Sequence, residues 1–279
     1  LKSDPRCIPC LVRQLERSAK ALHLPRDEFD NLIRKARNQI PQIPMSLPPN
    51  IYSTELLRLI YSNGTDPYKE EKAKHNKEIL EILPFVKKMI AKSNNPQKTA
   101  LLAACLGNLI DLGTQNQINT QEVKSFLKDA SFERDDSDEL LTRVKTAKKL
   151  VYVVDNAGEI LLDRLCAETL GVPETIFIAK ESPILNDVTV SEMLNMGFPS
   201  KQLITTGSND LGINWKTLNP EARKAMQTAD IVIAKGHANF ESFIDASQEA
   251  FLVLKIKCEV VAKRIRENCG SLVCLHYKP

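Results

Sequence analysis

The chain has 279 residues, of which 43% are hydrophobic, 26% charged and 5% aromatic. That mixture supports one or two packed cores and excludes a disordered chain. Ten glycines and fifteen prolines exclude collagen, no apolar run approaches the roughly 20 residues of a membrane span, and 38 basic against 35 acidic residues leave a formal +3, too balanced to suggest nucleic acid.

Residues 1–148 read as a helical domain. Leu11, Leu15, Ala19 and Leu22 recur at helical spacing until Pro25, and Phe29, Ile33, Ala36 and Ile40 carry a second face until Pro41. Four prolines between 39 and 50 mark a loop, a short helix follows over 54–61, and Asn63-Gly64 is a turn signal. A charged helix is expected from 68 to about 83, with Lys72, Asn76 and Ile79 along one side and Pro84 ending or kinking it. The stretch 100–111 is small, apolar and nearly free of charge, as a buried central helix would be. A short helix is expected over 122–128. The acidic run Glu133, Asp135, Asp136, Asp138, Glu139 reads as the solvated start of the next helix, where carboxylates suit the positive end.

From residue 149 to 279 the pattern changes to short β-branched runs alternating with helices. Strands are expected over 150–154, 175–179, 202–206, 231–234, 251–255 and 272–275, all too apolar to alternate, as in sheets covered on both faces. Helices are expected over 159–169, 188–195, 220–228 and 260–268. The resulting class is α/β: a largely parallel, three-layer sheet domain with an N-terminal all-helical domain.

In an open parallel sheet, ligands bind beyond the carboxyl ends of the strands. At the first such end, Asp155-Asn156-Ala157-Gly158-Glu159, adjacent oxygen donors suit Mg²⁺ or a similar hard cation, and the following helix end suits a phosphate. Asp155 or Asn156 could equally cap that helix. After the second strand comes Lys180-Glu181, then Asn186-Asp187, which either caps a helix or swings a third oxygen ligand over the first site. Thr205 to Asp210 reads as a plain loop or a pocket wall. At the next end, Lys235-Gly236-His237-Ala238-Asn239, a lysine on a buried strand needs a partner. Either a carboxylate supplies it, or an anion held between Lys235 and a cation does, which favours phosphoryl chemistry.

Other chemistries lack their motifs. No dinucleotide fingerprint, phosphate-binding P-loop or nucleophile elbow occurs. The four histidines show no ligand spacing, so zinc–histidine chemistry is not expected. Ala157 stands where phosphatases with an aspartyl nucleophile carry a second Asp, so an ion-activated water is the better nucleophile, with carboxylate attack the alternative. Cys7-Ile8-Pro9-Cys10 is either structural or a secondary metal or redox pair. Seven cysteines and no visible secretory leader lead to the expectation of a reduced, cytoplasmic setting.

These pieces together resemble the DUF89 family of metal-dependent damage-control phosphatases, in its prokaryotic subgroup with an N-terminal Cys-x-x-Cys. The resemblance runs through Cys7 and Cys10, Asp66-Pro67-Tyr68 with Lys72 and Asn76, Gly107-Asn108 with Asp111, Asp155 to Glu159, Asn186 to Thr189, Lys235 to Glu241, and Lys257-Cys258. It implies a cleft between the two domains, with one divalent cation (Mg²⁺, Mn²⁺, Co²⁺ or Ni²⁺) on Asp155, Asn156 and Asp187. It implies a phosphate on Lys235, assisted by Lys180, Gly236 and Asn239, with Asp155, Lys235 and Glu159 as the catalytic residues. Asn108 and Asp111 would reach the substrate from the helical half. The implied substrate is a small phosphate ester such as a sugar phosphate or phosphopantetheine derivative, with neither nucleic acid nor membrane as partner. Where the family often has Arg-Gly after the second strand, Lys180-Glu181 keeps the basic position and adds a negative charge. The rival readings are an S-adenosylmethionine-dependent carboxyl methyltransferase, which would want a glycine-rich first loop, and a non-enzymatic metal-stabilised binding module.

Overall fold

The computed structural model describes residues 1–61, 65–109 and 120–279, apart from the side chains of 108 and 109. The turn expected at Asn63-Gly64, the Asn108 side chain and Asp111 lie outside the described residues.

The chain opens with the helices α1 (Cys7–Ala21), α2 (Arg26–Gln39), α3 (Pro49–Tyr61), α4 (Lys69–Lys92), α5 (Pro96–Ala103) and α6 (Thr120–Asp129). Strand β1 (Phe132–Asp135), α7 (Ser137–Val144), β2 (Lys149–Val153), α8 (Glu159–Leu170), β3 (Glu174–Ala179), α9 (Val190–Asn195) and β4 (Leu203–Thr205) follow. Then come α10 (Pro220–Gln227), β5 (Ile231–Lys235), α11 (His237–Phe243), β6 (Ala250–Lys255), α12 (Glu259–Ile265) and β7 (Leu272–Tyr277). The strands form one sheet in the order β1-β7-β6-β5-β2-β3-β4. All neighbours are parallel except β6 and β7.

The apolar strands follow from burial on both faces. Leu150, Tyr152 and Val154 enter one core with residues of α4, α5, α7 and α8, whereas Val151 and Val153 enter the other with residues of α10, α11 and α12. Ile231 and Ile233 divide from Val232 and Ala234 in the same way. The apolar α5 is thus buried, packed between α4 and α8. Helices α1 to α3 form separate clusters, one of which includes Ile184, Leu185 and Leu211 from loops beyond β3 and β4. This contact seats the helical segment over the carboxyl ends of the strands. Among the described residues no helix is long and apolar enough to cross a membrane.

Three local expectations change. The acidic run is divided, because Phe132 alone of β1 is buried and the charged residues after it face outward on an edge strand. Asp138 and Glu139 do occupy the first turn of α7. Helix α4 continues through Pro84, which withdraws a hydrogen bond from the Leu80 carbonyl; Leu80 is 58% exposed, so water can satisfy that group. The segment after Lys235, absent from the expected helices, forms the short helix α11.

Candidate active site

The site begins where β2 stops. Asp155 and Asn156 follow the strand, and Gly158 adopts φ +83° immediately before α8. No side chain caps α8, so Asp155 and Asn156 are free of that duty. The Gly158 N–H instead donates to Asn76 Oδ1 at 2.6 Å, tying the strand end to α4.

Backbone pairing brings the second segment across. Ala157 N–H donates to the Asn186 carbonyl at 2.9 Å, and Val188 N–H donates to the Asp155 carbonyl at 2.9 Å. Asp187 therefore lies beside Asp155 and Asn156, as the alternative to a helix cap required. Thr189 is the cap of α9, in a capping box with Glu192. Leu185 at the turn has φ +47°, and its N–H donates to the Tyr61 hydroxyl of α3.

Within this cluster Asn156 Nδ2 donates to Asp155 Oδ2 at 2.9 Å and to Glu159 Oε1 at 3.0 Å. Asp187 Oδ2 is buried without a hydrogen bond, although Lys180 Nζ stands 3.6 Å away as an ion partner. Burial, then repulsion from Asp187 and Glu159, holds the Asp155 carboxyl well above the carboxylate range. Burial also pushes Asp187 up to about 6, against the pull of Lys180 and Lys72. A cation would relieve two buried carboxylates that resist ionising together, one of them with an unpartnered oxygen. The donors are hard oxygens, so they fit Mg²⁺-like ions rather than thiophilic ones. Among the described residues no three His, Cys, Asp or Glu side chains converge tightly enough to hold a metal ion. A cation here therefore needs the Asn156 amide and outside oxygens, which is the open coordination a catalytic ion uses.

Lys235 lies elsewhere than across the crevice. Fully buried, its Nζ donates to the Ala104 carbonyl at 2.7 Å, to Asp163 Oδ1 at 2.8 Å and to Glu159 Oε2 at 3.1 Å. Burial alone would lower this ammonium's pKa, but Asp163 and Glu159 outweigh it and raise the value well above the usual lysine range. Its reach toward the cavity thus passes through Glu159. Lys180 is likewise turned inward, toward the Gly212 carbonyl and Asp187, and burial lowers its pKa. Asn239 Nδ2 donates to the Val154 and Lys235 carbonyls at 3.1 and 2.8 Å, bracing the two strand ends. Gly236 is pressed on Asp155, since a Cβ at its φ of +83° would collide with the Asp155 carboxylate. None of Lys180, Lys235, Gly236 and Asn239 lines the cavity.

That cavity measures about 510 Å³, ample for a small metabolite. Asp155, Asn156, Glu159 and Asp187 form its floor, and Cys7, Cys10, Gln14, Asn50 and His75 face it from the helical segment. His237, Glu241 and Cys258 close another side. Asp163 was the main residue unforeseen. It stands one turn beyond Glu159 on α8, fully buried, accepts from Tyr152 Oη at 2.9 Å and is pushed up to about 6 by burial. Its only sequence signal was the i, i+4 spacing that puts it on the same face of α8 as Glu159. Lys72 is also buried, paired to Asp66 and Glu192 at 2.6 Å each, so it locks α4 to α9.

Comparison with known proteins agrees with this architecture. The model of the damage-control phosphatase ARMT1-like domain matches residues 3–273. A damage-control phosphatase of Archaeoglobus fulgidus is 30% identical, over 98% of this chain and 98% of its own length. Another, from Pyrococcus horikoshii, is 30% identical over 100% of this chain and 99% of its own. An uncharacterized protein of Methanocaldococcus jannaschii is 31% identical over 99% and 95% respectively. The crystal structure of a DUF89 family protein from P. horikoshii superposes with a TM-score of 0.89 at 29% identity, each chain covered completely. With its family model spanning nearly the whole length and its site built at the ends of β2 and β3, the chain belongs to the damage-control phosphatase ARMT1-like, or DUF89, family.

Proposed function

We propose that the chain is a divalent-cation-dependent phosphatase of small phosphate esters. The observation that carries this reading is the buried Asp155–Asp187 pair, with Asp187 Oδ2 unpartnered, at the floor of a metabolite-sized cavity. Relatives that carry the name damage-control phosphatase support the phosphatase part. Asp155, Asn156 and Asp187 would hold the ion, with Mg²⁺, Mn²⁺, Co²⁺ and Ni²⁺ as candidates. When bound, such an ion offsets phosphate charge and makes a water molecule more acidic.

The chain's own groups do the remaining work. Glu159 holds the Asn156 amide through Oε1 and lines the cavity, where it can accept the proton that an attacking water gives up. Lys235 anchors the other oxygen of Glu159 and fixes the orientation of that side chain in a buried setting. Lys180 holds Asp187 from behind. The helical segment covers the floor and limits water, which strengthens the electrostatics of the site.

The test is phosphate release from sugar phosphates, nucleotides and phosphopantetheine after chelation, with each of the four cations restored in turn. Turnover is expected only with a cation. Turnover that persists in chelator, or transfer of methyl from S-adenosylmethionine without any cation, would overturn the proposal.

A further inference from the structure

Three segments far apart in sequence meet on the wall of the cavity. Cys258 follows β6, His237 and Glu241 share α11, and Cys7 opens α1. Cys258 Sγ lies 4.0 Å from His237 Nε2, and His237 Nδ1 lies 3.5 Å from Glu241 Oε1. This is the order in which a nucleophilic thiol, its base and the carboxylate that orients the base are arranged in thiol enzymes.

Cys7 is the neighbouring thiol. Arg6 pairs with Glu259 at 3.8 Å, and Val260 packs against the cluster that contains Cys7 and Leu11. The residues flanking Cys7 and Cys258 therefore touch each other. We propose that Cys258 is an activated thiol oxidised by hydroperoxides and that Cys7 resolves it, so the pair is a reversible modification site on the cavity wall.

The chemistry balances. The Cys258 thiolate attacks one peroxide oxygen, the O–O bond breaks, and the departing alkoxide or hydroxide takes the proton held by His237. The Cys7 thiol then displaces hydroxide from the resulting sulfenic acid, giving a Cys7–Cys258 disulfide and water. Two thiols are oxidised by two electrons and one hydroperoxide is reduced.

The electrostatics agree. Burial resists charge on Cys258, yet His237 brings the thiol below its usual value; burial would lower His237, but Cys258 and Glu241 bring it up to about 9. Burial raises Cys7, as do Glu241 and Cys258, which suits a thiol that waits rather than attacks. Cys105 and Cys166 are fully buried and pushed up by that burial, so they do not compete. Cys10 and Cys269 are exposed and serve as internal controls.

The experiment treats the reduced, folded chain with one equivalent of hydrogen peroxide, quenches with iodoacetamide and maps peptides without reduction. Cys258 should be consumed at least about tenfold faster than Cys269, with a Cys7–Cys258 linked peptide as the main product. In Cys7→Ser the oxidation should stop at a sulfenic acid on Cys258 that dimedone captures. His237→Asn should slow Cys258 by roughly tenfold or more and leave Cys269 unchanged. Equal rates for Cys258 and Cys269 in the unmodified chain would overturn the proposal, whatever the variants do. So would a Cys7–Cys10 bridge as the main product, or zinc that co-elutes with the reduced chain and is lost in Cys258→Ser. No readout depends on phosphatase activity.

Discussion

Replacing Lys235 by methionine removes an ammonium that is 0% exposed and has three acceptors within 3.1 Å. The methylene stem is nearly preserved, so packing changes little. What remains is a pair of buried carboxylates, Glu159 and Asp163, without their cation. Removing one partner of a buried ion pair costs about 3–5 kcal/mol, because the surviving charge keeps its desolvation penalty. With an unfolding entropy of about 2.1 cal/mol/K per residue, a chain of 279 residues should lose about 5–9 °C in Tm. The deficit should grow with pH. Asp163 already sits at about 6 with the lysine present, and without it the carboxyl rises further. A proton then stabilises the folded state at pH 5 and is increasingly missing toward pH 8. Adding Asp163→Asn should recover at least 1–2 kcal/mol relative to additivity, roughly the coupling expected of groups in direct contact. Scanning calorimetry of the four proteins in the cycle, in chelator, measures all of this. A loss under about 2 °C, or strict additivity, would refute the inward ion pair and return Lys235 to the cavity.

Asp155→Asn should abolish cation-dependent phosphate release, a fall of roughly 10²-fold or more given the several kcal/mol an ion contributes, and isothermal titration should find cation binding sharply weakened. The cation should raise Tm more at pH 7.5 than at pH 5. Burial raises Asp187 to about 6 when folded, against about 3.9 for a free aspartate, so in the ion-free chain its contribution to stability falls as pH rises between those values, and the ion must displace its proton below about 6. A cation-induced Tm shift independent of pH across that range would contradict this. Gly236→Ala should fold with a cost of about 1–3 kcal/mol but lose cation-induced stabilisation, because its Cβ would displace the Asp155 carboxylate; retained cation binding would show that the two do not touch. Asn108→Ala should lower kcat/KM for the best ester by roughly tenfold, with unchanged cation affinity; a loss of Tm alone would reject a substrate role.

The sequence by itself determined the sheet and its polar ends. Strands buried on both faces must be apolar throughout, so Leu150 to Val154 and Ile231 to Ala234 stand out, and the polar residues that interrupt such runs mark the strand ends. Asp155 and Asn156 were legible for that reason. Edge strand β1 was not, because with one face solvated and charges along it, it has the composition of a helix start. The tertiary structure alone decided where each charge points. A lysine at a strand end can turn to either side, and the packing of α5 and α8 over β5 gave Lys235 the Ala104 carbonyl, Glu159 and Asp163 rather than the cavity. Local pattern likewise left Asn186-Asp187 undecided between cap and ligand until Thr189 took the cap and backbone pairing laid Asp187 against Asn156. The meeting of Cys258 with His237 and of Glu259 with Arg6 has no local signal at all, since sequence periodicity reports a residue's own element and only long-range packing selects its neighbours.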